Sequence, residues 1–279
     1  MLNPQTLAAQ SAQLFVIAGP CVVESKECLR QVVQTLKPLC ESLNLPYIFK
    51  ASYRKANRTS GGSFETIGDE RALEYLAEIR AEFDVPVLTD IHSAEEAALA
   101  AKYVDVLQIP AFLCRQSDIL LAAAATGKTV NIKKGQFLAP DDIVKAIEKI
   151  STPDKPHPVW VTERGTSFGY HDLVVDMRSL AIMRSLLNSN SATSRSVPVI
   201  YDATHSVQQP SIGAQSGGKR EFIAPLARAA VAVGIDGLFF ETHPNPAEAK
   251  SDAATQLPLS EAEPFLQQIA TLHETMQTL

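Results

Sequence analysis

The sequence predicts an α/β fold, a single (β/α)8 TIM barrel over residues 1–279, and three observations carry that expectation. Eight short runs rich in Val, Ile, Phe or Tyr alternate with eight stretches of helical spacing. Parallel strands need helical crossovers, and eight strand–helix units are enough to close a barrel. The turns that mark the rival doubly wound sheet, G-x-G-x-x-G and G-x-x-x-x-G-K-S/T, are both absent.

The strand runs fall near 14–20, 47–53, 86–91, 104–110, 129–134, 158–163, 198–203 and 237–241. The first helical stretch, 25–43, places Leu29, Val32, Val33, Leu36, Leu39 and Leu43 at intervals of three and four behind Ser25 as N-cap. Helical spacing recurs over 69–83, 94–102, 117–126, 140–150, 173–187, 221–233 and 260–277. Asp141, Asp142 and Glu263 put acidic groups in first turns, which suits the positive end of a helix dipole. Two polar stretches, 151–156 and 188–194, are short enough to be helix-to-strand loops at the barrel bottom. No linker or low-complexity tract divides the chain.

The 46% hydrophobic and 20% charged composition is that of a globular protein. With 25 Lys and Arg against 31 Asp and Glu, a formal net charge of −6, the chain lacks the basic surface that sequence-independent nucleic-acid binding needs. Cys21, Cys28, Cys40 and Cys114 show no C-x-x-C pairing, which points to a reducing compartment. Residues 1–23 carry no charge but also no basic n-region, and the apolar run 14–18 is far shorter than the roughly 20 residues a membrane span requires. The expectation is a cytoplasmic protein with neither nucleic-acid nor membrane partners.

Side chains at the C-terminal strand ends of a barrel face its mouth. Here they are Cys21, Lys50, Asp90 with His92, Gln108, Lys133 with Lys134, Glu163 with Arg164, Asp202 with His205, and Glu241 with His243. Lys50, Lys55, Arg58, Arg115, Lys133 and Arg164 form a cationic set at or just after strands, suited to two or more phosphate-sized anions or to one dianion plus a carboxylate. Cys21, His205, Glu241 and Asp252 form a second set of thiol, imidazole and carboxylate, which suits Zn or Fe better than Mg. Spacing alone reads this second set more readily as a small buried thiol beside a hydrogen-bonded histidine, since no local ligand motif is present. Cys28, Cys40 and Cys114 read as inert. His92 and His243 stay open between support and proton transfer, and 217–220 (Gly-Gly-Lys-Arg) is a short, unspecific anion-binding signal.

Longer motifs share a wider pattern. They are residues 19–21 (GPC), 49–60 (FKASYRKANRTS), 108–116 (QIPAFLCRQ), 131–137 (NIKKGQF), 163–170 (ERGTSFGY), 202–206 (DATHS), 241–246 (ETHPNP) and 251–252 (SD). In this order and together, they resemble the 3-deoxy-D-manno-octulosonate 8-phosphate synthase family over nearly the whole chain. The resemblance implies a (β/α)8 barrel, usually a homotetramer, that condenses phosphoenolpyruvate with arabinose 5-phosphate and releases phosphate.

By that resemblance Lys50, Ser52, Lys55, Gln108, Lys133 and Arg164 match phosphoenolpyruvate contacts, and Asn57, Arg58 and Thr59 match the pentose-phosphate loop. Arg115 matches an arginine delivered by a neighbouring subunit. Cys21, His205, Glu241 and Asp252 match the metal-dependent branch, whose single divalent ion would be Zn, Fe or Mn. His205, Asp252 and Lys133 are the candidate catalytic groups, with the general base left unassigned. The chain departs from the pattern at Gly62, Glu65 and Thr66, where the family usually has His, Arg and Gly, at Arg54, where Asp is common, and at His171, where Asn is common. Glu65 thus reverses a charge near the expected phosphate clamp. The sister condensation with erythrose 4-phosphate shares the barrel and the cations, but residues 55–58 (Lys-Ala-Asn-Arg) favour the pentose, because a Pro directly before the Arg would favour the tetrose. A hydrolase barrel would want His-x-His at the end of the first strand, where 19–21 stand, and an inactive barrel would have lost ligands or lysines that are all present.

Overall fold

In the computed structural model, residues 2–7, 13–56, 64–152, 154–189, 197–210 and 217–279 are described. Eight parallel strands form the barrel: β1 (Phe15–Gly19), β2 (Tyr47–Lys50), β3 (Val87–Asp90), β4 (Val106–Ile109), β5 (Thr129–Lys133), β6 (Val159–Glu163), β7 (Val199–Asp202) and β8 (Gly237–His243). Each pairs with the next, and β8 pairs back onto β1 from Phe15 opposite Gly237 to Gly19 opposite Glu241, which closes the ring. The outer layer is α1 (Lys26–Ser42), α2 (Asp69–Phe83), α3 (Ala94–Ala100), α4 (Ser117–Ala125), α5 (Ile143–Glu148), α6 (Arg178–Ser189), α7 (Ile223–Val233) and α8 (Ala262–Met276). Ser25 caps α1 as expected, its hydroxyl accepting from the Cys28 amide at 3.1 Å. None of the described helices is long and apolar enough to cross a membrane.

Alternation along the strands divides the core in two. One set of side chains packs outward against the helices. The other fills the lower barrel with Phe15, Ile17, Ile48, Leu88, Val106, Trp160, Ile200 and Phe239, and Leu2 packs against this cluster. Phe15 and Trp160 meet there with ring centroids 5.2 Å apart. Further up, the inward side chains turn polar, so the barrel carries a dry floor beneath a hydrophilic mouth.

The structure shortens one predicted helix. Of the stretch 173–187, Leu173–Val174 instead pairs antiparallel with Thr166–Ser167, and α6 begins at Arg178. The Asp176 side chain accepts from the Arg178 amide at 3.0 Å, which sets that helix start. At its other end α6 runs on through Ser189, so the loop expected from 188 starts later, and residues 190–196 lie outside the described ones.

At Gly19 the backbone of Lys50, at the end of β2, lies close against β1. A Cβ there would collide with the Lys50 carbonyl oxygen, with the Lys50 carbonyl carbon 3.0 Å and its nitrogen 3.2 Å away. All three are backbone atoms and cannot swing aside. Gly19→Ala should therefore cost about 3 kcal/mol or more, read as a lowered urea midpoint with unchanged slope. A midpoint like that of the wild type would contradict this close approach.

Candidate active site

Four strands and the segment just after β2 contribute to a hydrogen-bonded belt across the mouth. Thr162 Oγ1 donates to Asn131 Oδ1 at 2.8 Å, and Asn131 Nδ2 to Gln108 Oε1 at 2.9 Å. Gln108 Nε2 then donates to Asp90 Oδ1, and Ser52 Oγ to Asp90 Oδ2 at 2.6 Å. Every member is buried. The belt satisfies these polar groups and fixes the orientation of the Gln108 amide. Burial works against the Asp90 charge, but Lys50 and Lys55 outweigh it and hold the carboxyl well below the ordinary carboxylate range.

The cations sit on and above this belt. Lys50 Nζ pairs with Glu241 Oε1 and donates to the Cys21 carbonyl at 2.9 Å. Lys133 Nζ lies 2.6 Å from Asp202 Oδ2, 3.3 Å from His205 Nδ1 and 3.9 Å from the centre of the Phe239 ring. Burial pulls the Lys133 pKa down, against the Asp202 and Asp90 charges. Lys55 is buried, with Nζ 4.0 Å from Asp90 Oδ2. Arg164 Nη2 donates to Gln208 Oε1 at 3.1 Å, while its Nη1 is buried without a hydrogen-bond partner among the described residues. A buried guanidinium nitrogen without a partner is costly and asks for an acceptor.

Beside them the thiol, imidazole and carboxylate donors converge. The ligand atoms of Cys21, Glu241 and Asp252 all lie within 4.8 Å of one another. His205 Nε2 is 3.7 Å from Glu241 Oε1 and 3.6 Å from Asp252 Oδ2. His205 Nδ1 faces Asp202 Oδ2 at 2.8 Å, which holds the ring and turns Nε2 toward the cluster. Burial disfavours the charged imidazole, but Asp202 and Glu241 prevail and raise its pKa. Burial, then the Asp252 and Glu241 carboxylates, push the Cys21 thiol well above its ordinary value. Glu241 Oε2 is buried with no hydrogen-bond partner among the described residues. An orphaned carboxylate oxygen, a thiol and a second carboxylate close together, with the His205 imidazole beside the two carboxylates though outside that tight trio, make a donor set that fits a divalent cation.

Gln256, which the sequence reading missed, and Ser251, which it included only as part of the motif 251–252, hold Cys21. Its amide donates to Gln256 Oε1 at 3.1 Å, and its sulfur lies 3.0 Å from Ser251 Oγ. Asp252 itself has a left-handed backbone, φ 46°, a conformation Asp tolerates better than most residues.

Of the residues expected at the mouth, Lys134 and Glu163 do not face it. Lys134 Nζ donates to the Leu138 carbonyl at 3.1 Å and lies 3.6 Å from Glu163, which accepts from the Gly165 amide and from Ser179 Oγ. Adjacent strand residues point to opposite faces, so Lys133 turns inward and Lys134 outward. His92 rests on Glu96. His243 accepts from the Asn245 amide at 3.1 Å through Nδ1, with Nε2 3.5 Å from Glu24. Burial opposes charge on this ring, but Cys28 and Glu24 lift its pKa to about 10. Lys219 and Arg220 hold Asp172 and the Ala253 carbonyl. Arg115 is exposed. Asn57, Arg58, Thr59 and Gly62 lie outside the described residues.

Fold and family define a (β/α)8 barrel enzyme whose mouth gathers buried cationic side chains beside a cluster of thiol, imidazole and carboxylate groups. The chain belongs to the DAHP synthetase I family, whose sequence model matches residues 3–278. It is 50% identical over 269 residues to the 2-dehydro-3-deoxyphosphooctonate aldolase of Burkholderia cenocepacia, spanning 94% of this chain and 92% of that protein. Proteins of the same name from Koribacter versatilis and Bradyrhizobium sp. are each 53% identical, over 251 residues (88% of this chain, 86% of that one) and 257 residues (92% and 87%).

Proposed function

We propose that this chain condenses phosphoenolpyruvate with D-arabinose 5-phosphate and water, giving 3-deoxy-D-manno-octulosonate 8-phosphate and inorganic phosphate. The relatives' shared name describes an aldolase of that product. One observation carries the reading. Among the described residues, the same mouth holds a buried guanidinium nitrogen without an acceptor, on Arg164, and a buried carboxylate oxygen without a hydrogen-bond partner, on Glu241. That pairing supports a mouth that receives an anion and a cation side by side.

In this reading Lys50, Lys55, Lys133 and Arg164, with Ser52 and Gln108 in the belt beneath, receive phosphoenolpyruvate. Asn57, Arg58 and Thr59 take the pentose phosphate. C3 of the enol ester attacks the open-chain aldehyde carbon, forming the new C–C bond, and the aldehyde oxygen takes a proton. Water adds at C2, and the bond from C2 to the phosphate oxygen breaks. Holding two anions together against their repulsion is the main physical task, and fixed cations perform it without reorganising.

Cys21, His205, Glu241 and Asp252 would hold one divalent ion, Zn, Fe or Mn. When bound, such an ion polarises the aldehyde oxygen and orients the water. Proton transfer falls to Asp252 through the carboxylate oxygen that does not hold the ion, and Asp202 keeps the His205 ring in place as a ligand.

The working unit in this proposal is a cytoplasmic homotetramer, in which Arg115 reaches a neighbour's mouth. Phe112, Phe137, Phe168 and Tyr170, exposed on the segments that follow β4, β5 and β6, support a self-association surface at that end.

Phosphate release measured with each aldose tests the assignment. Turnover is expected with phosphoenolpyruvate plus arabinose 5-phosphate, and only background release with erythrose 4-phosphate. The opposite preference would assign the chain to the sister reaction.

A further inference from the structure

The segment leaving β2 carries an arrangement that the proposed chemistry does not use. Arg54 Nη2 donates to Glu65 Oε1 at 2.8 Å and its Nη1 to Asp69 Oδ2 at 3.0 Å, with Glu96 Oε1 3.9 Å away. Asp69 opens α2 and Glu96 lies in α3, so this one guanidinium ties the segment to two barrel helices. Close by, the Lys55 amide donates to the Glu65 carbonyl at 3.0 Å, and Thr66 Oγ1 to the Tyr53 carbonyl at 3.1 Å. Residues 53–55 and 65–66 are thereby joined at their backbones as well as through a charged pair.

Lys55, the very next residue after Arg54, serves the mouth. Its ammonium is buried near Asp90 and lies in the field of Cys21, Glu241 and Asp252, which outweigh its burial and raise its pKa. The backbone that carries this ammonium is therefore held by Glu65, and Glu65 is held by Arg54.

Paired at 2.8 Å, the Arg54 and Glu65 charges cancel one another.

We propose that Arg54 and Glu65 form a positioning clasp that holds the Lys55 backbone, and so sets the affinity for phosphoenolpyruvate rather than the rate of the chemical steps. The affinity part rests on the condensation reading above; the clasp itself does not. Neither residue touches a reacting atom. Both act through Lys55.

The test compares wild type with Glu65→Gln, Arg54→Met and the double variant by three measurements: hydrogen exchange at the Lys55 amide, calorimetric titration with phosphoenolpyruvate, and kcat. Each single variant should speed Lys55 exchange and weaken phosphoenolpyruvate binding about fivefold, the worth of about 1 kcal/mol for a partly exposed ion pair. The double variant should be no worse than the more impaired single one, because the two residues act as one unit. kcat and the melting temperature should stay at wild-type values. Unchanged exchange or unchanged binding in the single variants would overturn the clasp. So would a fall in kcat and melting temperature with binding intact, which would mean a purely structural pair. If wild type binds no phosphoenolpyruvate, the condensation reading fails, and exchange at Lys55 alone decides whether the clasp exists.

Discussion

Thorough removal of divalent metal should lower phosphate release about a thousandfold, equivalent to about 4 kcal/mol of transition-state stabilisation, and added Zn, Fe or Mn should restore it. The physical ground is the crowding of negative and lone-pair donors around one point. Cys21, Glu241 and Asp252 lie within 4.8 Å of one another, and His205 Nε2 faces both carboxylates. Lys50 satisfies only one oxygen of Glu241, and the other is buried without a partner among the described residues. A bound cation would also reverse the forces that push the Cys21 thiol up, making the thiolate the stable form. A second readout stands apart from catalysis. An ion that binds only the folded protein raises its melting temperature with concentration, and Cys21→Ala should flatten that response. Full activity in protein shown by elemental analysis to hold no metal would defeat the assignment.

Lys133→Met should cut kcat/KM by a similar factor, about a thousandfold. Lys133 is buried between Asp202 and the face of Phe239, where an ammonium is worth far more to an arriving anion than it would be in water. Removing it also strands the buried Asp202 carboxylate, and breaking such a pair from one side costs about 3–5 kcal/mol of stability. The two effects can be separated. Adding Asp202→Asn to Lys133→Met should recover much of the melting temperature, since no charge is then left unpaired, while activity stays low. Recovery of activity along with stability would show that Lys133 matters only for folding.

The strand–helix alternation was legible because buried parallel strands are written as apolar runs, and every barrel strand falls on a run expected for it. Where the reading went astray, local pairing overrode spacing. Leu173 and Val174 continue a helical pattern, yet they pair with Thr166 and Ser167, and Asp176 starts the helix later. Lys134 and Glu163 were placed at the mouth beside Lys133 and Arg164, although a period of two already separates neighbours onto opposite faces. The same period points to Asn131 and Thr162, each two residues before an inward cation, and they prove to be members of the belt. Gln256 left no such trace, and Ser251 showed only as part of a motif, with no sign of its contact. They reach Cys21 from the far end of the chain, a meeting that only closure of β8 against β1 produces. The ion pair of Arg54 with Glu65 was equally hidden, since two unusual residues eleven positions apart announce no contact until the backbone folds back.

The plug of Phe15, Ile17, Ile48, Leu88, Val106, Trp160, Ile200 and Phe239 fills the floor under the belt, so in the proposed reaction both reactants, water and departing phosphate approach from the mouth side and share that route.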